Sequence, residues 1–330
     1  MREEAVLFGE MKSLVGIVTD PSERRVNGHR PAVILLNPGM VHRVGPGGIY
    51  VKIARTLAAM GFVVLRFDFS GIGDSAVRHD NLPFDKSSVL ETQAAMDFLQ
   101  ATRGLGHFIL MGGCSGARIS LQTACYDPRV VGALPINLPM PEDDDGNPDQ
   151  PHGRAAYYYW RIATHNLNSW RKFVTGRADY RQILRTLQFQ ARCRLPSQRK
   201  ASAESLKFEA NMRLLVNRGV QLAFIYAADG SPSETLREAV NGAFKQPRTP
   251  GNVRIEIIPR TDHTFSSLSD QEQLLKTISK LIDAITAATS NAKSHQLSAR
   301  LPRSVREKIQ QYLERRRSLP QLPDTRLGSN

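Results

Sequence analysis

Cysteine is scarce in this chain: three residues in 330, at positions 114, 125 and 193. Their spacing includes no Cys-x-x-Cys pair and an odd thiol is always left over, which excludes a disulfide framework and leads to the expectation of a reduced, cytoplasmic protein. No zinc-ligand spacing is present either. Long hydrophobic runs are also missing, none approaching the roughly 18 apolar residues of a membrane span. The opening Met1-Arg2-Glu3-Glu4-Ala5 has no basic start leading into an apolar core, so no signal peptide is expected at this end. There is no nucleic-acid-binding signature, and the glycine-rich stretches do not fit a phosphate cradle. Neither a cofactor, a metal nor a nucleic-acid partner is expected.

Negative charge is sparse in two places. Of the formal net charge of +13, residues 152–218 contribute +11, from 14 Lys and Arg against 3 Asp and Glu. Residues 293–330 add +6, from 9 against 3, whereas 1–151 (14 against 17) and 219–292 (7 against 8) are mildly acidic. Such asymmetry fits an acidic partner or substrate, because a basic surface steers anions; a solvated helical face is the other reading.

At the centre of what is present stands Leu110-Met111-Gly112-Gly113-Cys114-Ser115-Gly116-Ala117. An apolar run, His107 to Met111, precedes it and a helix-compatible run, Ala117 to Tyr126, follows. A strand, a glycine-framed sharp turn and a helix form the setting of a nucleophile elbow, in which small residues two places to either side accommodate a strained central residue. Gly112 and Gly116 frame Cys114 in this way. A second register, with Gly113 and Ala117 framing Ser115, puts Arg118 where close helix–strand packing favours Gly or Ala. The Cys114 register puts Ala117 there and is preferred; a buried structural cysteine is the third reading.

The surrounding chain alternates strand and helix. Glu4 to Glu10 and Ser13 to Thr19 read as short antiparallel strands. Ala32 to Asn37, Phe62 to Phe69, Val130 to Asn137, Gln221 to Ala227 and Val253 to Ile258 read as strands, several of them continuous apolar runs. Helices are expected over Ile49 to Met60, over Ser87 to Ala101 with Leu90, Ala94, Phe98 and Ala101 on one face, near Ser233 to Phe244, and over Gln271 to Ala287. This is the pattern of a mostly parallel α/β sheet. It breaks at Pro139, so the expected organisation is a core over 1–138 and 219–290, a basic helical lid over 139–218 and a basic helix and tail over 291–330. Residues 290–300 read as polar linker. Tyr158, Tyr159, Trp160 and Trp170 in the lid either line a pocket or pack as core.

Asp229 directly follows one buried strand and His263 the next, so a parallel sheet brings both to the carboxyl edge that carries Cys114. A thiol nucleophile needs a base, and the base needs a carboxylate to orient it. His263 is the candidate base, a capping or surface histidine being its alternative. Asp229 is the candidate acid, with Asp262 and Glu234 as substitutes. Asp68 and Asp74 read as loop braces, with Ser75 an N-cap candidate. The oxyanion donors expected are the N–H groups of Ser115 and Met40, the latter in the loop after Ala32–Asn37. His42 and Arg43 read either as pocket-facing or as ordinary loop residues.

The motifs LNPGM (36–40), RFDFSGIGDS (66–75), GGCSGA (112–117), YAADG (226–230) and TDHTF (261–265) resemble those of the α/β-hydrolase superfamily over about 32–288. Within it the chain is similar to serine-aminopeptidase-like hydrolases, and RFDFSGIGDS and DHTF to hydrolases found beside exosortase and polysaccharide gene clusters. Dienelactone hydrolase is another relative with a cysteine elbow. The resemblance implies an α/β-hydrolase fold with a helical lid and a Cys-His-Asp triad. Cysteine at the elbow and Pro38-Gly39 in place of His-Gly depart from the serine hydrolases. Three functions follow as expectations: a hydrolase of ester, thioester or related acyl bonds; an acyltransferase or thioesterase meeting an acidic carrier protein; or a non-catalytic binding protein on the same fold.

Overall fold

The computed structural model describes residues 1–22, 30–139, 203–228 and 250–300. The chain divides into two compact units, Met1–Ile282 and Asp283–Asn330, and the sheet lies within the first. Eight strands build that sheet: β1 (Arg2–Phe8), β2 (Leu14–Asp20), β3 (Ala32–Leu36), β4 (Val64–Phe67), β5 (Phe108–Gly113), β6 (Val130–Ile136), β7 (Gln221–Ala227) and β8 (Val253–Ile258). Their order is β1-β2-β4-β3-β5-β6-β7-β8. β1 pairs antiparallel with β2 and β2 with β4, and every pairing from β4 through β8 is parallel. The described helices are α1 (Ile49–Ala59), α2 (Phe84–Arg103), α3 (Ser115–Tyr126), α4 (Ala203–Asn217) and α5 (Leu268–Arg300).

Helices on both faces are what bury the central strands. All five residues of β3, AVILL, are buried, as are Phe108 to Gly112 of β5. A parallel strand covered on both sides has no solvent face, hence the unbroken apolar run in place of alternation. The parallel arrangement also places the carboxyl ends of β3, β5, β6, β7 and β8 along one edge, the edge where ligands bind in open α/β sheets.

Two expectations need correction. The buried residues of α2 are Ser87, Ser88, Val89, Glu91, Thr92, Ala95, Met96 and Leu99; of the expected face Phe98 packs against the core, whereas Leu90 is 52% exposed. They include hydroxyls that return their protons to the helix itself, Thr92 Oγ1 donating to the Ser88 carbonyl at 2.7 Å, so polar letters hid the apolar face. Residues 290–300 continue α5 to Arg300, with no linker between. This stretch contains neither Gly nor Pro until Pro302, so nothing in it stops a helix. Among the described residues no helix is long and apolar enough to cross a membrane.

Candidate active site

β5 ends in a turn whose apex is Cys114, at φ 51° and ψ −113°, immediately before α3. Backbone held there by a non-glycine residue costs on the order of 1–3 kcal/mol and persists only where its surroundings fix it. Here they do. The Cys114 N–H donates to the Ile136 carbonyl at 3.0 Å, and the Cys114 carbonyl accepts from Ala117 N at 3.1 Å. A Cβ on Gly112 would sit 2.6 Å from the Gly116 carbonyl carbon, and one on Gly116 would sit 2.6 Å from the Leu36 carbonyl oxygen. Both glycines are therefore required by the close approach of α3 to β5 and β3. Ser115 is simply the first residue of α3, so the strained apex belongs to the Cys114 register.

Next to the elbow runs the loop after β3. Its Gly39 N–H donates to Ser115 Oγ at 2.7 Å. The neighbouring Met40 N–H, and the Ser115 N–H at the open start of α3, meet no acceptor among the described residues. The Met40 side chain is exposed. Underneath, the buried phenol of Tyr50 donates to the Leu36 carbonyl at 2.9 Å and accepts from Gly113 N, also at 2.9 Å. It joins the end of β3 to the residue before Cys114, and burial pushes its ionisation well above the usual phenol range, so it stays a donor.

Cys114 and His263 line one cavity of about 230 Å³ together with Pro38, Val41, Ile49, Tyr50, Asn137 and Phe265, among others. Three of its lining residues, Cys114, Asn137 (φ 47°) and Phe265 (φ 53°), are non-glycine residues at positive φ. Such conformations concentrate at functional sites. Asn137, the residue after β6, is nearly fully buried and binds both β7 and the loop after β8. Its N–H donates to Ile225 O at 2.8 Å, its Oδ1 accepts from Ala227 N at 2.8 Å, and its Nδ2 donates to the His263 carbonyl at 2.8 Å. The loop carrying the imidazole is thereby tied to the ends of β6 and β7.

Asp229, Glu234, Tyr158, Tyr159, Trp160 and Trp170 lie outside the described residues. Asp262, weighed as a substitute acid, is engaged in its own loop, accepting from Thr264 N and Thr264 Oγ1 at 2.7 Å each and from Ser266. Burial raises its pKa, yet these hydrogen bonds outweigh that and hold its carboxyl below the usual range. Ser75 caps no helix; its hydroxyl accepts from Val15 N at 2.9 Å and donates to the Asp68 carbonyl at 2.7 Å.

His42 and Arg43 are not among the residues lining the cavity. The fully buried Asp68 claims them: it accepts from Arg43 N at 2.6 Å, from the Arg43 guanidinium and from Asn37 Nδ2 at 3.2 Å. Arg43 also donates to Asp74 at 2.7 Å, and His42 Nε2 lies 3.5 Å from both carboxylates. Hydrogen bonds from Arg43 and His42 hold the Asp74 carboxyl below its ordinary range. His42, Asp68 and Asp74 have the spacing of a metal cluster, but the guanidinium already answers their charge. The network braces the loop after β3 against the loop after β4.

Sequence reading passed over Tyr50 and Asn137. Tyr50 stands between the apolar positions of α1, two residues past the last glycine of the turn; Asn137 reads as the last residue of a strand. An amide directly after a buried strand is the usable signal, and Asn37 after β3 repeats it, with Nδ2 donating to Val41 O at 2.7 Å and Oδ1 accepting from Phe69 N at 3.2 Å.

A profile of the alpha/beta hydrolase fold matches residues 32–213. Among solved structures, an esterase from Pyrococcus furiosus is similar at 14% identity, covering 86% of this chain and 91% of its own, with a TM-score of 0.55. The alpha/beta hydrolase GrgF from Penicillium sp. sh18 is similar at 16% identity, covering 87% and 100%, with a TM-score of 0.54. Likeness at these identities establishes a shared fold. Comparison with curated protein sequences gives no match.

Proposed function

The chain belongs to the alpha/beta hydrolase fold family, and on that premise we propose that it cleaves an ester, thioester or related acyl bond with Cys114 as nucleophile. The carrying observation is the apex geometry of Cys114 in the lining of a cavity that His263 also lines. In this reading His263 takes the thiol proton and the sulfur adds to the acyl carbonyl. A C–S bond forms while the carbonyl π pair moves onto oxygen, where the N–H groups of Met40 and Ser115 receive it. The amino end of α3 favours negative charge at the same place. Collapse expels the leaving group, which takes the proton from His263, and leaves a thioester on Cys114. Water, deprotonated by His263, then releases the acid and restores the thiol. Asp229, two residues past the end of β7, is the carboxylate assigned to orient His263.

The test is mass spectrometry after exposure to an activated acyl ester. Acyl adduct on Cys114, free acid on longer incubation, and neither in Cys114→Ala support the proposal; unchanged turnover in that variant refutes it. A second reading rests on the charge of residues 152–218. A thioester is attacked by amines and thiols more readily relative to water than an ester is, so a carrier-bound acyl group and an acceptor other than water fit the same site. Binding to an acidic carrier protein that weakens as salt rises distinguishes this reading.

A further inference from the structure

We infer that the Ser115 hydroxyl is a positioning group that locks the two oxyanion donors into one unit, an inference that rests on the acyl-transfer reading. One donor is the N–H of Ser115 itself. The other is the N–H of Met40, in a loop that belongs to a different strand. What joins them is the 2.7 Å hydrogen bond from Gly39 N–H, one residue before Met40, to Ser115 Oγ. A single residue therefore supplies one donor through its backbone and holds the loop of the other through its side chain.

The rest of that loop is fastened elsewhere. Asn37 Nδ2 holds the Val41 carbonyl at 2.7 Å, and Val41 N meets the Pro38 carbonyl at 3.4 Å. Both bonds stay within the loop's own chain segment; among the described residues, the Ser115 bond is the one that ties Gly39 to α3. Without it the Met40 N–H is held only indirectly, through β3 and its pairing with β5, and has no direct tie to the first turn of α3. An oxyanion site works because its donors are in place before charge develops, so a loosened donor loses most of its worth. The same bond engages the Ser115 oxygen as an acceptor at the first residue of a helix, away from the strained apex.

Two reactions at the same sulfur separate this role from a general structural one. Alkylation by iodoacetamide displaces iodide and creates no oxyanion; acylation by p-nitrophenyl acetate does create one. In Ser115→Ala the backbone donor remains. Acylation of Cys114 is expected to slow about tenfold or more, with KM little changed, while alkylation and the melting temperature stay as in the wild type. Ser115→Thr, which keeps the acceptor oxygen, is expected to recover most of the lost rate. Equal acylation in wild type and Ser115→Ala overturns the inference. So does parallel loss of acylation and alkylation, or a lowered melting temperature without rescue by Thr. A wild-type Cys114 that alkylates but never acylates refutes the acyl-transfer reading itself, and the inference falls with it.

Discussion

The two ends of α3 are eleven residues apart, each beside a cysteine, and they are finished in opposite ways. At the amino end the N–H of Ser115 is left without an acceptor among the described residues, and Cys114 is held at positive φ against the cavity. At the carboxyl end the carbonyls are closed off. The Arg218 guanidinium donates to Ala124 O at 2.5 Å and to Asp127 O at 3.1 Å, placing positive charge where the helix dipole is negative. There Cys125 packs against the core, and burial pushes its thiol up to about 11. A helix end with its polar groups satisfied is architecture; the end that carries unmet donors and backbone strain is where a substrate is needed to complete it.

Exchanging the cysteines' roles is the strongest way to break this contrast. Cys114→Ala is expected to lower acyl-bond cleavage by about a thousandfold or more, the scale on which a lost nucleophile is felt. Cys125→Ala is expected to keep kcat and to cost roughly 1 kcal/mol of stability through lost packing. Steady-state kinetics with denaturant melts of both variants read the difference. Equal losses of activity would erase the distinction between the two ends.

Next in size is Gly116→Ala. Its new Cβ would stand 2.6 Å from Leu36 O and 2.8 Å from Asn37 O, both backbone atoms of the neighbouring strand end. Overpacking of this kind costs about 1–3 kcal/mol, and it acts by pushing α3 from β3, so activity is expected to fall more steeply than stability. A tight, fully active Ala variant would show that the elbow tolerates a wider gap.

Asn137→Ala tests the opposite wall. It removes the hydrogen bonds of 2.8 Å each that Asn137 donates to the His263 carbonyl and accepts from the Ala227 N–H. The expectation is a loss of roughly 1–3 kcal/mol, together with a lower kcat, because the histidine loop is no longer fixed. Loss of stability with an unchanged kcat would make Asn137 a strand-end brace alone.

Much of this is legible in the sequence alone. The continuous apolar runs of β3 and β5, the glycine frame of the elbow, and the position of His263 after a late strand all announce themselves in residue type and spacing. What was not legible has a common physical cause. Asn137, Tyr50 and the Ser115 hydroxyl act by satisfying backbone groups of distant segments, and nothing in an amide's or hydroxyl's own neighbourhood names its partner. The face of α2 is the exception: Thr92 is buried with its hydroxyl satisfied within its own helix, four residues back. His42 and Arg43 looked available because Asp68, the buried carboxylate that claims them, lies 25 residues from Arg43 in sequence.

The smallest expected effect sharpens the contrast at the carboxyl end of α3. A thiol whose folded pKa is raised to about 11 favours the protonated form in the fold. Its contribution to stability is therefore complete below the unfolded thiol's pKa of about 8.5, and is lost as pH rises toward 11. Alkylation of Cys125 in the folded protein should accordingly stay slow through pH 9 and climb only above it. Removing the guanidinium in Arg218→Ala takes away a charge that lowers this pKa, so the climb should move to higher pH still. The same substitution should cost about 1 kcal/mol by uncapping the helix, while leaving the rate at Cys114 untouched. Measuring both adducts by mass spectrometry across pH 7–11 checks it: a Cys125 that alkylates readily at pH 8 would mean that its burial is breached in solution, and that the two ends of α3 differ in strain alone.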